Sequence, residues 1–189
     1  MAYVETLYGH QDVIHDLDSL DKERAVSCGG RDRSIRLWKI VEESQLIFQG
    51  VPTLESMDCI SMITESFFVG GCQSGAITLW DVQKKKAVNT VDIAHGAGNS
   101  ITAISALRFG DVFASGSNDG TVRVWKCLPK KRHISPIMQV EIKGFINGLM
   151  FNSTGSLLTA AVSQEARLGR WQRLRGAPNA CVVIKLLED

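Results

Sequence analysis

SIRLWKI (34–40) alternates apolar and polar side chains up to Trp38, and the pattern returns as AITLWDV (76–82), TVRVWKC (121–127) and ARLGRWQ (166–172). The four tryptophans, Trp38, Trp80, Trp125 and Trp171, are separated by 42, 45 and 46 residues. Strict alternation marks half-buried β-strands, and recurrence at a nearly fixed period marks a repeated supersecondary unit. Units of roughly 40 to 45 residues with four short strands each are propeller blades. The chain is therefore expected to be all-β.

Working outward from the tryptophans gives about four four-stranded blades of the WD-repeat type, spanning 9–50, 51–94, 95–142 and 143–189. The strands of the last are expected at 145–151, 157–162, 167–172 and 181–187. Gly29-Gly30, Gly70-Gly71, Asn118-Asp119-Gly120 and Ser153-Thr154-Gly155 fall between strands, where turns need them. Residues 3–8 read as an orphan outer strand of a preceding blade. An orphan would leave an unpaired sheet edge, so the chain 1–189 is expected to be a partial propeller, part of a seven-bladed ring.

Composition narrows the function classes. The chain has 189 residues, 44% of them apolar, and four prolines, enough to bury a core. No apolar run approaches a membrane span and Met1–His10 has no secretory pattern, so no membrane partner is expected. The cysteines Cys28, Cys59, Cys72, Cys127 and Cys181 form no C-x-x-C pair. They read as five small buried residues with free thiols. Residues 1–99 carry 9 Lys+Arg against 14 Asp+Glu, and residues 100–189 carry 12 against 6. Such a split fits a nucleic-acid contact, and equally a solvated surface.

Each blade of this type is locked by a buried His, Ser or Thr, Asp and Trp hydrogen-bonded in series. The third blade has the set as His95, Ser115, Asp119 and Trp125. The first offers His10, Asp32 and Trp38 with Cys28 in the Ser position, and the fourth only Trp171 with Glu165 in the Asp position. His, Asp and Ser could also read as a hydrolase triad, but their spacing to tryptophan is that of the structural set. Neither a Gly-rich phosphate loop nor a metal-ligand cluster occurs, so no cofactor, small-molecule substrate or enzymatic activity is expected.

Two groups of residues are candidates for binding. Lys84-Lys85-Lys86, Lys130-Lys131-Arg132 and Arg173 with Arg175 are assigned to the third-to-fourth strand connection of successive blades, giving one basic arc: a phosphate track or a solvated rim. None of these loops holds an aromatic residue to stack a base. On the opposite face, the second-to-third turns carry Arg31 and Arg33, and Gln164, Glu165, Arg167 and Arg170. Arg167 and Arg170 have opposite parity on one strand unless a bulge at Gly169 intervenes.

YVETLYGHQD (3–12), GGRDRSIRLWKI (29–40), EESQLIFQG (42–50), MDCISMI (57–63), GFINGLMF (144–151) and QEARLGRW (164–171) together resemble the C-terminal portion of one WD-repeat family, the protein bound to the U-three box C/D small nucleolar RNA. The resemblance implies a non-catalytic scaffold subunit of a nucleolar ribonucleoprotein. Its partners would be the box C/D RNA with its kink-turn-binding protein and other pre-ribosome assembly proteins, in pre-ribosomal RNA processing. Members of the family have further N-terminal blades and a basic leader, which fits the expected partial propeller, and Gly50-Val51-Pro52 stands here where Gly-His is expected. The competing expectation is a protein-only adaptor such as a ubiquitin-ligase substrate receptor. The W-D-x-R box that would favour it is absent, Trp80-Asp81 being followed by Val82-Gln83.

Overall fold

A computed structural model describes residues 5–50, 55–128, 131–167 and 169–186. Three consecutive sheets are four-stranded antiparallel meanders. The first is β1 (Ile14–Ser19), β2 (Arg24–Gly29), β3 (Ser34–Lys39) and β4 (Ser44–Gln49). The second is β5 (Met57–Thr64), β6 (Phe67–Cys72), β7 (Ile77–Asp81) and β8 (Lys86–Val91). The third is β9 (Ile101–Ala106), β10 (Val112–Ser117), β11 (Thr121–Leu128) and β12 (His133–Glu141). Each blade stacks face to face on the next, and the cores lie between blades. Phe48, Leu37, Met57, Phe68 and Trp80 fill the first gap; Phe113, Trp125, Leu79, Ile77 and Ile101 the second; Ile146, Leu158, Val124 and Ile184 the third. A Cβ on Gly71 would collide with Ile101, and one on Gly116 with Ile146, so glycine is what lets neighbouring inner strands approach.

The inner strands β1, β5 and β9 are also tied by polar side chains at the repeat period. Asp18 Oδ2 accepts the Met62 N–H (2.8 Å), Ser61 Oγ the Ala106 N–H (3.1 Å) and Ser105 Oγ the Phe151 N–H (3.4 Å). Each bond satisfies a backbone donor that would otherwise be stranded between blades.

The fourth unit differs from the sequence expectation. Its sheet is β13 (Phe145–Phe151), β14 (Leu157–Ser163) and β17 (Ala180–Lys185), with β17 paired directly to β14 from Leu157↔Lys185 to Val162↔Ala180. The stretch expected as the third strand, 167–172, is outside this sheet. It belongs to an inserted hairpin, β15 (Glu165–Ala166) and β16 (Gly169–Arg173). The run ACVVIK (180–185), most of which was expected as the outer strand, takes the third-strand position, its consecutive β-branched Val182, Val183 and Ile184 suiting a strand beside β14 better than the charged, glycine-containing ARLGRW. Of the orphan strand expected at 3–8, residues 5–8 form no strand and the others lie outside the described residues. Four cysteines are buried as expected, but Cys181 is exposed on β17.

Candidate nucleic-acid interface

The blade locks set the rigidity of the turns. In the third blade Trp125 donates its indole N–H to Ser115 Oγ (2.7 Å), Ser115 Oγ lies 2.7 Å from His95 Nε2, and His95 Nδ1 faces Asp119 at 3.3 Å. Ser115 is fully buried and its oxygen accepts from tryptophan, so the serine locks the blade. The first blade holds the same set in full. Trp38 donates to Ser27 Oγ (2.8 Å), which lies 2.8 Å from His10 Nε2, and His10 Nδ1 meets Asp32 Oδ2 at 2.7 Å. Ser27, and not Cys28, is the hub. In both blades burial pushes the aspartate upward, yet hydrogen bonds outweigh it: the Ser34 N–H and His10 at Asp32, His95 and the Thr121 N–H at Asp119. Both carboxyls end below the usual range. In the second blade Trp80 donates to Thr78 Oγ1 instead (2.8 Å), because Gly70 stands opposite Thr78 where a serine would accept.

Consecutive strands are antiparallel, so second-to-third connections emerge on one face, here the upper, and third-to-fourth connections on the lower. The inserted hairpin joins the second strand of its sheet to the third, and it carries Arg173 and Arg175 to the upper face. They therefore leave the expected basic arc. Arg173 sits 3.6 Å from Glu165 and donates to Gln164 Oε1 (3.3 Å). Gln164 and Glu165 secure the hairpin root: Gln164 Nε2 donates to Ala177 O (2.9 Å), and Asn147 Nδ2 to Glu165 O (2.7 Å). Glu165 is thus no substitute for a blade-locking aspartate.

Arg167, at the hairpin tip, reaches across to the second blade and donates to the Asp58 carbonyl (3.1 Å), while its own N–H bonds Asn147 Oδ1 (2.9 Å). It is drawn there by carboxylates. Burial raises Asp16 and Asp58 above their ordinary range, against the opposing pull of the Ile60 N–H on Asp16, of Ser56 and His15 on Asp58, and of Arg167 on both. His15 Nδ1 lies 3.0 Å from Asp58. Around these groups opens a cleft of about 830 Å³, lined by Asp12, His15 and Arg31 of the first blade, Asp58 of the second, Asn118 of the third and Gln172 of the hairpin. Arg31 is exposed at its rim, its backbone N–H fixed by Asp12 (2.7 Å). Arg33 is exposed with φ 53°, the left-handed turn position. Lys143, which the sequence reading passed over, is exposed in the connection entering β13 and packs beside Gly176 of the hairpin. Its proximity came from the inserted hairpin, which no spacing in the sequence announced. Arg170 lies on β16, and the parity argument no longer applies because Arg167 is in the turn between two strands.

On the lower face, Lys84, Lys85 and Lys86 precede or open β8, and Lys131 and Arg132 precede β12; Lys130 lies outside the described residues. Lys85 and Arg132 occupy the same left-handed turn position, both at φ 53°. In the first blade that position is Glu43, at φ 47°, next to Glu42. The basic arc thus covers two blades.

A family model for the WD domain, G-beta repeat, matches residues 1–39 and 86–126. A WD repeat-containing protein of Schizosaccharomyces pombe is 40% identical over 98% of this chain and 43% of its own length. The U3 snoRNP-associated protein-like YAOH of Oryza sativa is 34% identical over 95% of the chain and 40% of its own. U3 small nucleolar RNA-interacting protein 2 of Mus musculus is 42% identical over 77% and 32%. The chain thus spans less than half the length of these curated relatives. A solved structure described as that of U3-55K superposes with a TM-score of 0.94 at 41% identity, over 98% of this chain and 58% of that one. In sequence and in fold, the chain belongs to the WD-repeat propeller proteins of the U3 small nucleolar ribonucleoprotein family.

Proposed function

We propose that this chain is a non-catalytic, RNA- and protein-binding part of a box C/D small nucleolar ribonucleoprotein acting in pre-ribosomal RNA processing in the nucleolus. Its partners on this reading are the box C/D RNA with its kink-turn-binding protein and other assembly proteins. The observation that carries the reading is the inserted hairpin. It carries exposed Arg173 and Arg175 to the upper face, which is also the face of exposed Arg31 and Arg33 and of the cleft that Arg31 lines, and exposed Lys143 packs beside Gly176 there. Guanidinium groups pair with phosphates in two-pronged fashion, and such contacts position a nucleic acid without reading its bases. The relatives named for U3 small nucleolar RNA support the same reading. The test is crosslinking in cells, purification and sequencing of the bound RNA. One box C/D RNA enriched over all others is expected, and recovery of proteins with no enriched RNA would overturn the proposal.

A further inference from the structure

On the lower face, apart from the cleft, an exposed aromatic side chain shares the face of the basic arc. Phe109 lies in the turn between β9 and β10 and is 58% exposed, next to exposed Arg108. Its backbone is left-handed, φ 57°, a region that disfavours bulky residues and that Gly or Asn would enter at less cost. The turn is nonetheless fixed, since the Phe109 N–H donates to Ile63 O (2.8 Å) and the Gly110 N–H to Leu107 O (3.0 Å). The ring therefore projects from a held backbone and is not a loose loop tip.

The surrounding connections join this ring to the cations. From Ile63 the chain turns through Ser66, whose carbonyl accepts the Val82 N–H (2.9 Å), at the start of the loop carrying Lys84, Lys85 and Lys86. Asn89 of β8 donates to Arg132 O (2.7 Å), which presses the basic turn of the third blade against the outer strand of the second. Lys86 is three residues from Asn89 on that strand, roughly 10 Å along it. Exposed Lys126, 3.6 Å from Asp111, borders the same surface. The two lysine clusters thus adjoin, and Phe109 stands on the same face toward the inner strands.

We propose that this lower face binds an unpaired RNA segment, with one base stacked on Phe109 and the flanking phosphates on Lys84–Lys86, Lys131 and Arg132. An accessible ring face together with a backbone-tracking basic groove is how proteins hold single strands without reading their sequence. A paired helix keeps its bases inside the stack and would offer Phe109 nothing. The proposal rests on the RNA-binding reading above and adds to it a second, sequence-tolerant contact for single-stranded RNA.

The experiment measures binding of this chain to a single-stranded oligouridine and to an RNA duplex of the same length, by fluorescence anisotropy at several salt concentrations. Phe109→Asn, which suits the left-handed turn, should weaken the single strand about tenfold, leave the duplex unchanged and keep the salt slope. Phe109→Tyr should restore parental affinity. Replacing Lys84, Lys85, Lys86, Lys131 and Arg132 with glutamine should weaken both RNAs and flatten the salt slope. Equal single-strand affinity for Phe109→Asn and the parent, with the lysine set still losing, would overturn the stacking site while leaving RNA binding intact. Equal losses on single strand and duplex for Phe109→Asn would overturn it as well. A parent that binds neither RNA would remove both this proposal and the reading it rests on.

Discussion

Ser27 accepts the Trp38 indole and lies within hydrogen-bond distance of His10, so its removal strands two buried polar groups at once. Ser27→Ala should lower stability by about 1–3 kcal/mol, while Cys28→Ser, beside it but outside the network, should not break the lock; urea unfolding of both variants checks this. The sequence reading found the third-blade lock but placed the first-blade hub one residue off. Ser27 is 11 residues before its tryptophan and Ser115 is 10, because the first-blade turn is one residue longer. A count from tryptophan cannot detect that, whereas the pairing Ser27↔Arg36, equivalent to Ser115↔Arg123, settles it. The lock also has a pH signature. Asp119 is held below its ordinary range in the folded chain, so its contribution is complete above the unfolded value of about 4 and is lost as pH falls through the lower folded value. Asp119→Asn should therefore show a shallower fall in melting temperature on acidification than the parent. Asp16 and Asp58, raised by burial, act with the opposite sign: their protonated forms favour folding, and that contribution fades as pH rises through their folded values.

At the scale of elements, the first three blades were legible because alternation, turn residues and tryptophan all agreed. The fourth was not, because ARLGRWQ preserves the period of the repeat while its charges and glycine unfit it for the interior of a sheet. The conflict between Trp171 at the right spacing and a missing lock was the available signal, and it was resolved by extruding the segment as a hairpin. Asn147 holds that hairpin by donating to Ser163 Oγ (2.6 Å) and Glu165 O (2.7 Å) and by accepting the Arg167 N–H (2.9 Å). Asn147→Ala should release the hairpin while β14 and β17 stay paired. Hydrogen exchange should then speed at least about tenfold across 165–173 and remain unchanged at 158–162. Uniform acceleration across both segments would mean that the hairpin is an integral part of the blade.

Across the whole molecule, each blade buries one flank against the next, and the fourth leaves its far flank in water. Met150, Thr159 and Val183 are cross-strand neighbours on that flank, with Met150 68% and Val183 60% exposed. Met150 takes the register position that Asp18, Ser61 and Ser105 use to tie the following blade, so this flank has the form of a blade contact. Apolar strips of this kind associate. Met150→Glu with Val183→Lys should reduce self-association in sedimentation velocity without shifting the melting temperature appreciably. On the proposed function, what matters at this scale is that the hairpin carries Arg173 and Arg175 to the upper face, the face of Arg31, and not to the lower face, where the spacing put them. The most direct measurement of that assignment is competition binding between a box C/D RNA bearing its kink-turn-binding protein and random RNA of equal length. The contenders are the parent chain, an Arg31→Gln, Arg173→Gln, Arg175→Gln variant, and the lower-face glutamine variant. Loss of preference for the box C/D complex in the upper-face variant, with preference kept but overall affinity reduced in the lower-face variant, is the predicted result. Selectivity lost from the lower-face variant alone would contradict the account.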